Sequence, residues 1–333
     1  MSNVSETEAA RDSGFRVRHL TVDASTQGQR LDRALGRLFE GVPRARLFRL
    51  IRKGEVRVNG RRASPDQRLV AGDVLRLPPV READPEAPRR VPASLVETVE
   101  GSIIHQDERL LVLDKPSGIA VHGGSGLSFG IIEALRASRP DETLELAHRL
   151  DRDTSGLLLV SRRLPALREL HALLRDGAVQ KRYLVLVAGR WQLGHKRIDA
   201  PLATDLRVGG ERTVRVHPDG KPALTEFKLI ESFGARASLL EALLHTGRTH
   251  QIRVHAAHCG HPVAMDEKYG DETFNEQLKK LGLTRMFLHS HSCSFTWPGG
   301  GSEQAFNAPL PEALKRLLDA LPVRGGRRPT ASR

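Results

Sequence analysis

The chain is poor in the residues that would tie it down covalently or anchor it in lipid. Cys259 and Cys293 are its only cysteines in 333 residues. Two are too few for a disulfide framework, so a reducing compartment is expected, and the cytoplasm with it. Its longest apolar runs, such as LVLVAG (184–189), fall far short of the ~18 residues that a membrane helix needs. The opening MSNVSETEAARDSG lacks the apolar core of a signal peptide, so a soluble protein with no membrane partner is expected. Tyrosine is scarce, with only Tyr183 and Tyr269. Acidic residues are in deficit as well: Lys plus Arg total 52 against 40 Asp plus Glu, a net charge of +12. Such an excess favours a polyanionic partner.

Composition breaks once. PPVREADPEAPRRVP (78–92) carries five prolines and mixed charge with almost no large apolar residue, and reads as an extended linker. The expected organisation is an N-terminal extension (1–27), a small domain (28–77), a linker (78–97), a large domain (98–322) and a basic tail (323–333). No internal repeat is evident.

In the small domain, Leu31, Leu35, Leu38 and Phe39 are spaced for one helix face. PRARLFRLIRKG follows, with Pro43 at its start and Gly54 at its end, the usual punctuation of a helix. At 100° per residue Leu47, Phe48, Leu50 and Ile51 share one side, and Arg46, Arg49, Arg52 and Lys53 share the other. Solvated helix faces usually mix charges, because oppositely charged pairs four apart help the helix. No acid occurs between Gly41 and Glu55, so these four cations are expected to bind phosphates. EVRVNGRRA then alternates as a strand broken at Asn59-Gly60, a type I′ hairpin signal.

The large domain holds HRLDRDTSGLLLV (148–160), a charged loop running straight into an apolar strand. Asp151, Asp153, Ser155 and Gly156 fit the first positions of a calcium loop, but its twelfth position is Arg162, a cation where a bidentate glutamate belongs. An aspartyl phosphatase needs its strand before the aspartates, and here the strand follows. An ordinary Asp/Thr/Ser turn feeding a core strand remains open on this stretch alone.

Its companions narrow the choice. LHTGRTHQIRVHAAHCGHPV (244–263) holds Arg248, Arg253 and five histidines. His255, His258 and His261 recur every third residue, which drifts around a helix, and no zinc motif is present, so no metal is expected. VQKRYLVLVAG (179–189) is a strand with Tyr183, Val185 and Val187 on one face. A tyrosine there is either core or a platform for an extruded base. KPSGIAVHGGSGLSFG (115–130) lacks the Gly-Lys-Ser/Thr ending of a nucleotide P-loop. It is either an RNA-phosphate loop or an ordinary one.

In this order, HRLDRDTSGLLLVSR, KRYLVLV and TGRTHQIRVHAAHCGHPV resemble the pseudouridine synthases that modify uridines in ribosomal RNA. The likeness covers about residues 98–297, and residues 28–77 resemble the S4 RNA-binding domain. One stretch, FLHSHSCSF (287–295), departs from the family's pattern, in which a Trp-Arg pair follows the His. The resemblance implies an α+β fold: a mixed, mostly antiparallel sheet with peripheral helices and a central cleft, plus a small N-terminal α/β domain. It implies isomerisation of uridine in 23S ribosomal RNA without a cofactor. Asp151 would be the essential carboxylate, as nucleophile or as base for the 2′ proton, with Arg253 as its partner and Tyr183 stacked on the base. Arg149 would fill the gap left by the flipped nucleotide. Arg248 and His250 are further expected RNA contacts, Asp153 is expected to tie down the loop through its side chain, and a monomer is expected. The competing expectation is an RNA-binding or ribosome-assembly factor in which the aspartate loop is only structural.

Overall fold

The computed structural model describes residues 17–23, 26–39, 42, 44–79, 90–124, 127–206 and 212–322. Residues 1–16, the middle of the proline-rich linker (80–89) and the basic tail (323–333) lie outside the described residues. The chain divides into two compact units, Met1–Arg90 and Val91–Arg333.

The first unit runs β1 (Arg18–Thr21), α1 (Leu31–Leu38), α2 (Arg44–Lys53), β2 (Arg57–Val58), β3 (Arg61–Arg62) and β4 (Val74–Leu77). Its strands order β1-β4-β2-β3, so the sheet recruits a strand that lies ahead of residue 28. Asn59 and Gly60 both take positive φ, 50° and 75°, as a type I′ hairpin requires. Leu31 and Leu35 from α1 and Leu47 and Ile51 from α2 pack on Val58, Leu75 and Leu77. On the outer side of α2, Arg49, Arg52 and Lys53 are exposed and Arg46 is half-buried. Among the described residues none of these four has an ion-pair partner.

The second unit opens with α3 (Ala93–Glu100), β5 (Ile103–Gln106), β6 (Leu110–Lys115), α4 (Ile131–Ser138), β7 (Glu145–Leu146), β8 (Ser155–Ser161) and α5 (Leu164–Arg175). It continues through β9 (Gln180–Ala188), β10 (Lys196–Asp199), β11 (Leu202–Leu206), β12 (Arg212–Val216), β13 (Leu224–Phe233) and β14 (Ala237–Leu244). It ends with α6 (Gln251–His258), α7 (Glu272–Lys280), β15 (Leu288–Phe295), β16 (Gln304–Asn307) and α8 (Glu312–Ala320). The large sheet orders β10-β13-β14-β9-β15-β8-β6-β5, with β16 on β15 and β7 on β8. Every pairing is antiparallel except β15 with β8. This is the mixed, mostly antiparallel α+β fold expected.

β8 is buried at all seven positions, and its Leu-Leu-Leu-Val run is divided between the two faces. Leu158 and Val160 join Leu113, Val185 and Leu240 under α3, α4 and α6. Leu157 and Leu159 face Ala166 and Leu170 of α5 on the other side. Truncating one such leucine to alanine costs about 2–5 kcal/mol. β8 begins at the single parallel pairing, where the backbones crowd. A Cβ on Gly156 would stand 2.2 Å from the Ser290 carbonyl oxygen, and its φ is +103°. Only glycine fits there. The aspartate loop therefore enters the middle of the sheet, beside β15 and one strand from β9.

Candidate active site

The aspartate loop is fastened from below. Lys115, fully buried at the end of β6, donates through Nζ to the carbonyls of Pro116 (2.8 Å), Ile119 (2.8 Å) and Arg152 (3.0 Å). The Arg152 carbonyl also accepts from Gly118 N (2.9 Å), and Ser117 Oγ donates to the Asp153 carbonyl (2.7 Å). Three acceptors suit the three donors of an ammonium. Burial and Arg285 nevertheless push Lys115 down to about 7. The Asp153 side chain, expected to tie the loop, instead makes only an exposed pair with Arg152 Nε (3.1 Å). The backbone of Asp153 holds the loop, because a carbonyl facing the core needs a donor there and a solvated carboxylate does not.

At the top of this loop Asp151 Oδ2 accepts from the Arg253 guanidinium at 3.1 Å. Arg253 lies on α6, 102 residues away. Its other nitrogens donate to Asp266, Nε to Oδ2 at 2.7 Å and a terminal nitrogen to Oδ1 at 2.8 Å. Asp266 is wholly buried and also accepts from Lys268 N (2.9 Å) and Tyr269 N (3.1 Å). Burial opposes the Asp266 charge, but the Arg253 bonds outweigh it and hold its carboxyl below the usual range. Burial likewise opposes the Arg253 charge, and Asp266 then raises its pKa above the ordinary value. The guanidinium is a fixed cation.

His250 closes the other side. It caps α6 with a left-handed backbone, φ 54° and ψ 21°, an uncommon conformation for a residue with a side chain. Tyr269 Oη accepts from Val214 N (2.9 Å) and meets His250 Nδ1 at 2.8 Å. His250 Nε2 faces the Asp151 carboxylate at 3.9 Å, which favours the tautomer with its proton on Nε2 and Tyr269 donating to Nδ1. Burial lowers the His250 pKa against the pull of Asp151, which favours the neutral ring. The Tyr269 ring also receives the Arg253 guanidinium, 5.1 Å from its centroid.

Asp151 lies where two cavities meet. A pocket of about 200 Å³ runs inward past His148, Leu150, Lys181, Tyr183, Leu244 and Leu288. That is smaller than the ~300–1,000 Å³ of a drug-sized site and suits one flat base. A groove of about 1380 Å³ runs outward past His122, Arg152, Arg215, Lys268 and Arg285. Arg149 is exposed and lines both, whereas Arg248 lines the pocket and donates to the Pro222 carbonyl (3.0 Å). Tyr183 shows only 5 % of its surface, within the main core. Burial raises its phenol pKa, so it stays a phenol at neutral pH.

Asp151, Tyr183, Arg253, Arg149, Arg248 and His250 thus surround one pocket. Arg46, Arg49, Arg52 and Lys53 belong to the other unit. Of the remaining histidines in 244–263, His255 is fully buried between Thr225 Oγ1 and the Ala200 carbonyl, a structural role. Among the described residues no group of His, Cys, Asp and Glu is placed to hold a metal. Sequence reasoning missed Lys115, Asp266 and Tyr269. Asp266 and Tyr269 sit in AMDEKYG, which reads as a common turn, and their link to Arg253 exists only in three dimensions. The one signal was that Tyr269 is one of only two tyrosines in the chain.

The chain matches two family profiles: RNA pseudouridylate synthase over residues 109–258, and the S4 domain over residues 29–75. It is 52% identical over 307 residues to the ribosomal large subunit pseudouridine synthase C of Pasteurella multocida, spanning 92% of this chain and 94% of that protein. With the protein of the same name from Escherichia coli (strain K12) the identity is 49% over 309 residues, 92% and 97% of the two chains. Among solved structures it is similar to human RNA pseudouridylate synthase domain containing 4, with a TM-score of 0.54 and 25% identity over 68% of this chain and 96% of that one.

Proposed function

The chain belongs to the RNA pseudouridylate synthase family, and from that premise we propose that it converts uridine to pseudouridine in the RNA of the large ribosomal subunit, with Asp151 as the acting carboxylate. The observation that carries this reading is the position of Asp151. It is a half-buried carboxylate where a base-sized pocket meets a wide groove rich in cations, gripped by a fixed arginine. Mere RNA binding has no use for an acid there, which disfavours a non-enzymatic assembly factor.

In this reading the target nucleotide leaves its helix, and its uracil enters the pocket against Tyr183. Arg149, exposed at the rim, takes the vacated place. The Arg253 guanidinium, 3.1 Å from Asp151 Oδ2, holds this carboxylate in place for either role. As a nucleophile Asp151 adds to ribose carbon 1, and as a base it takes the 2′ proton. The uracil then turns and rejoins through carbon 5. A neutral phenol takes the carbon 5 proton only as it passes its own to a base, and the Asp151 carboxylate, available again once carbon 5 has joined ribose carbon 1, lines the same pocket. The unpaired cations of α2 fit a second contact with RNA phosphates. Action as a monomer in the cytoplasm is part of this reading.

The test is a map of pseudouridine in ribosomal RNA isolated from cells with and without this protein. Sites present only with the protein support the reading, and identical maps contradict it.

A further inference from the structure

Lys181 is a cation without an anion. It lies on β9 two residues before Tyr183, on the same face, and its side chain lines the inner pocket. It shows 9 % of its surface. Among the described residues nothing forms a hydrogen bond or ion pair with its Nζ. Its neighbours offer it no charge. Cys293 stands opposite it on β15 with its thiol pushed by burial up to about 12, and so is neutral. His148 accepts the Leu159 N–H through Nε2 (3.1 Å), and burial with Lys181 beside it takes the ring down to about 3. Gly247 closes the space above, where even a Cβ would stand 3.7 Å from Nζ. A lone ammonium in such a place is costly. The other cations of this pocket are committed or distant from its floor: Arg253 to two carboxylates, Arg248 to a carbonyl, and Arg149 exposed at the rim.

We propose that Lys181 is a catalytic residue that donates to a carbonyl oxygen of the uracil and neutralises the base while it is detached from its ribose. The proposal rests on the reading above, that this pocket takes the target uracil. When the bond between ribose carbon 1 and uracil nitrogen 1 breaks, its electron pair stays with the base. The resulting anion spreads its charge over both ring nitrogens and both carbonyl oxygens. This holds whether Asp151 adds to carbon 1 or first removes the 2′ proton. The pair returns when carbon 5 bonds to carbon 1, after which carbon 5 loses its proton and nitrogen 1 gains one. An ammonium fixed at the pocket floor interacts weakly with neutral uracil and strongly with the anion, so it accelerates cleavage more than it aids binding. Burial lowers the Lys181 pKa, and an anion in the pocket opposes that shift.

The test compares Lys181→Met and Lys181→Gln with wild type in RNA affinity and single-turnover rate, on RNA carrying uridine or 5-fluorouridine at the target. Fluorine stabilises the detached anion and so relieves the need for a cation. Affinity within about threefold of wild type and a rate lower by about 100-fold are expected on uridine. On 5-fluorouridine the deficit in glycosidic cleavage should shrink severalfold, which a merely structural lysine would not produce. Wild-type rates in either folded variant, or equal deficits on both substrates, would overturn the proposal. Loss of fold in both variants would overturn it as well, by making Lys181 a core residue. If wild type itself forms no pseudouridine, the functional reading fails. If wild type is active and the variants match it, only the role of Lys181 fails.

Discussion

Arg253 and Asp266 meet through two hydrogen bonds, 2.7 and 2.8 Å long, in a pair of which the carboxylate is wholly buried. This fork–fork contact fixes the guanidinium plane and leaves one nitrogen aimed at Asp151. The arginine is therefore positioned by a buried acid that lines neither cavity.

Asp266→Asn should free the guanidinium to swing. Single-turnover pseudouridine formation is expected to fall about 10- to 100-fold with RNA affinity nearly unchanged, because geometry rather than binding is lost. Removing one member of a buried pair should also lower stability by about 3 kcal/mol, read by denaturant unfolding. Wild-type rate and stability together would show that Arg253 needs no such support.

Tyr183 combines a ring at the pocket wall with a hydroxyl that burial keeps protonated. Tyr183→Phe keeps the ring, so RNA should still bind while tritium release from RNA labelled at uridine carbon 5 becomes very slow. Tyr183→Leu should lose stacking too, worth about 1–3 kcal/mol per base. Release at the wild-type rate from the phenylalanine variant would reduce Tyr183 to a platform.

In the first unit, the cations of α2 give a measurement that needs no chemistry. Reversing Arg46, Arg49 and Arg52 to Glu should weaken RNA binding and flatten its logarithmic salt dependence by about 0.7–0.9 for each phosphate no longer neutralised. Turnover of saturating RNA should change little. An unchanged slope would mean a merely solvated helix face.

His289 supplies a pH prediction. Arg285 donates to Ser155 Oγ (2.7 Å), so the Ser155 hydrogen points to His289 Nδ1 (2.9 Å), and Nε2 donates to the Ala308 carbonyl (3.2 Å). This chain of bonds holds a neutral ring, and burial lowers its pKa from 6.5 to about 4. Between those values the unfolded chain binds a proton that the folded chain refuses. Stability from this group is complete above pH 6.5 and is lost as pH falls to about 4, by about 3 kcal/mol at most. His289→Gln should flatten the profile in that window, and an identical slope would contradict the assignment.

The strands expected after the aspartate loop and in VQKRYLVLVAG both occur, as β8 and β9, because each is a sustained apolar run. What the sequence hid is short or cooperative. β1 is an exposed four-residue edge, and β5 and β16 alternate too briefly to stand out. The parallel pairing of β15 with β8 joins residues 134 apart and leaves only a trace in Gly156. At the site, the motif residues Asp151, Tyr183 and Arg253 were visible because long, specific stretches surround them. Lys115 carried no signal, since its worth lies in three carbonyls that only the folded backbone brings together. Lys181 lies in the KRYLVLV motif, but nothing in the sequence marks its side chain as buried.

The central claim is that Asp151, not its neighbour two residues on, performs the chemistry. Asp151→Asn and Asp153→Asn should be assayed side by side for pseudouridine formation and for RNA affinity. Asp151→Asn is expected to bind RNA within a few-fold of wild type and to form no pseudouridine. Asp153→Asn, whose exposed side chain only pairs with Arg152, should keep measurable activity. Equal loss at both positions, or turnover by the Asp151 variant, would contradict the account.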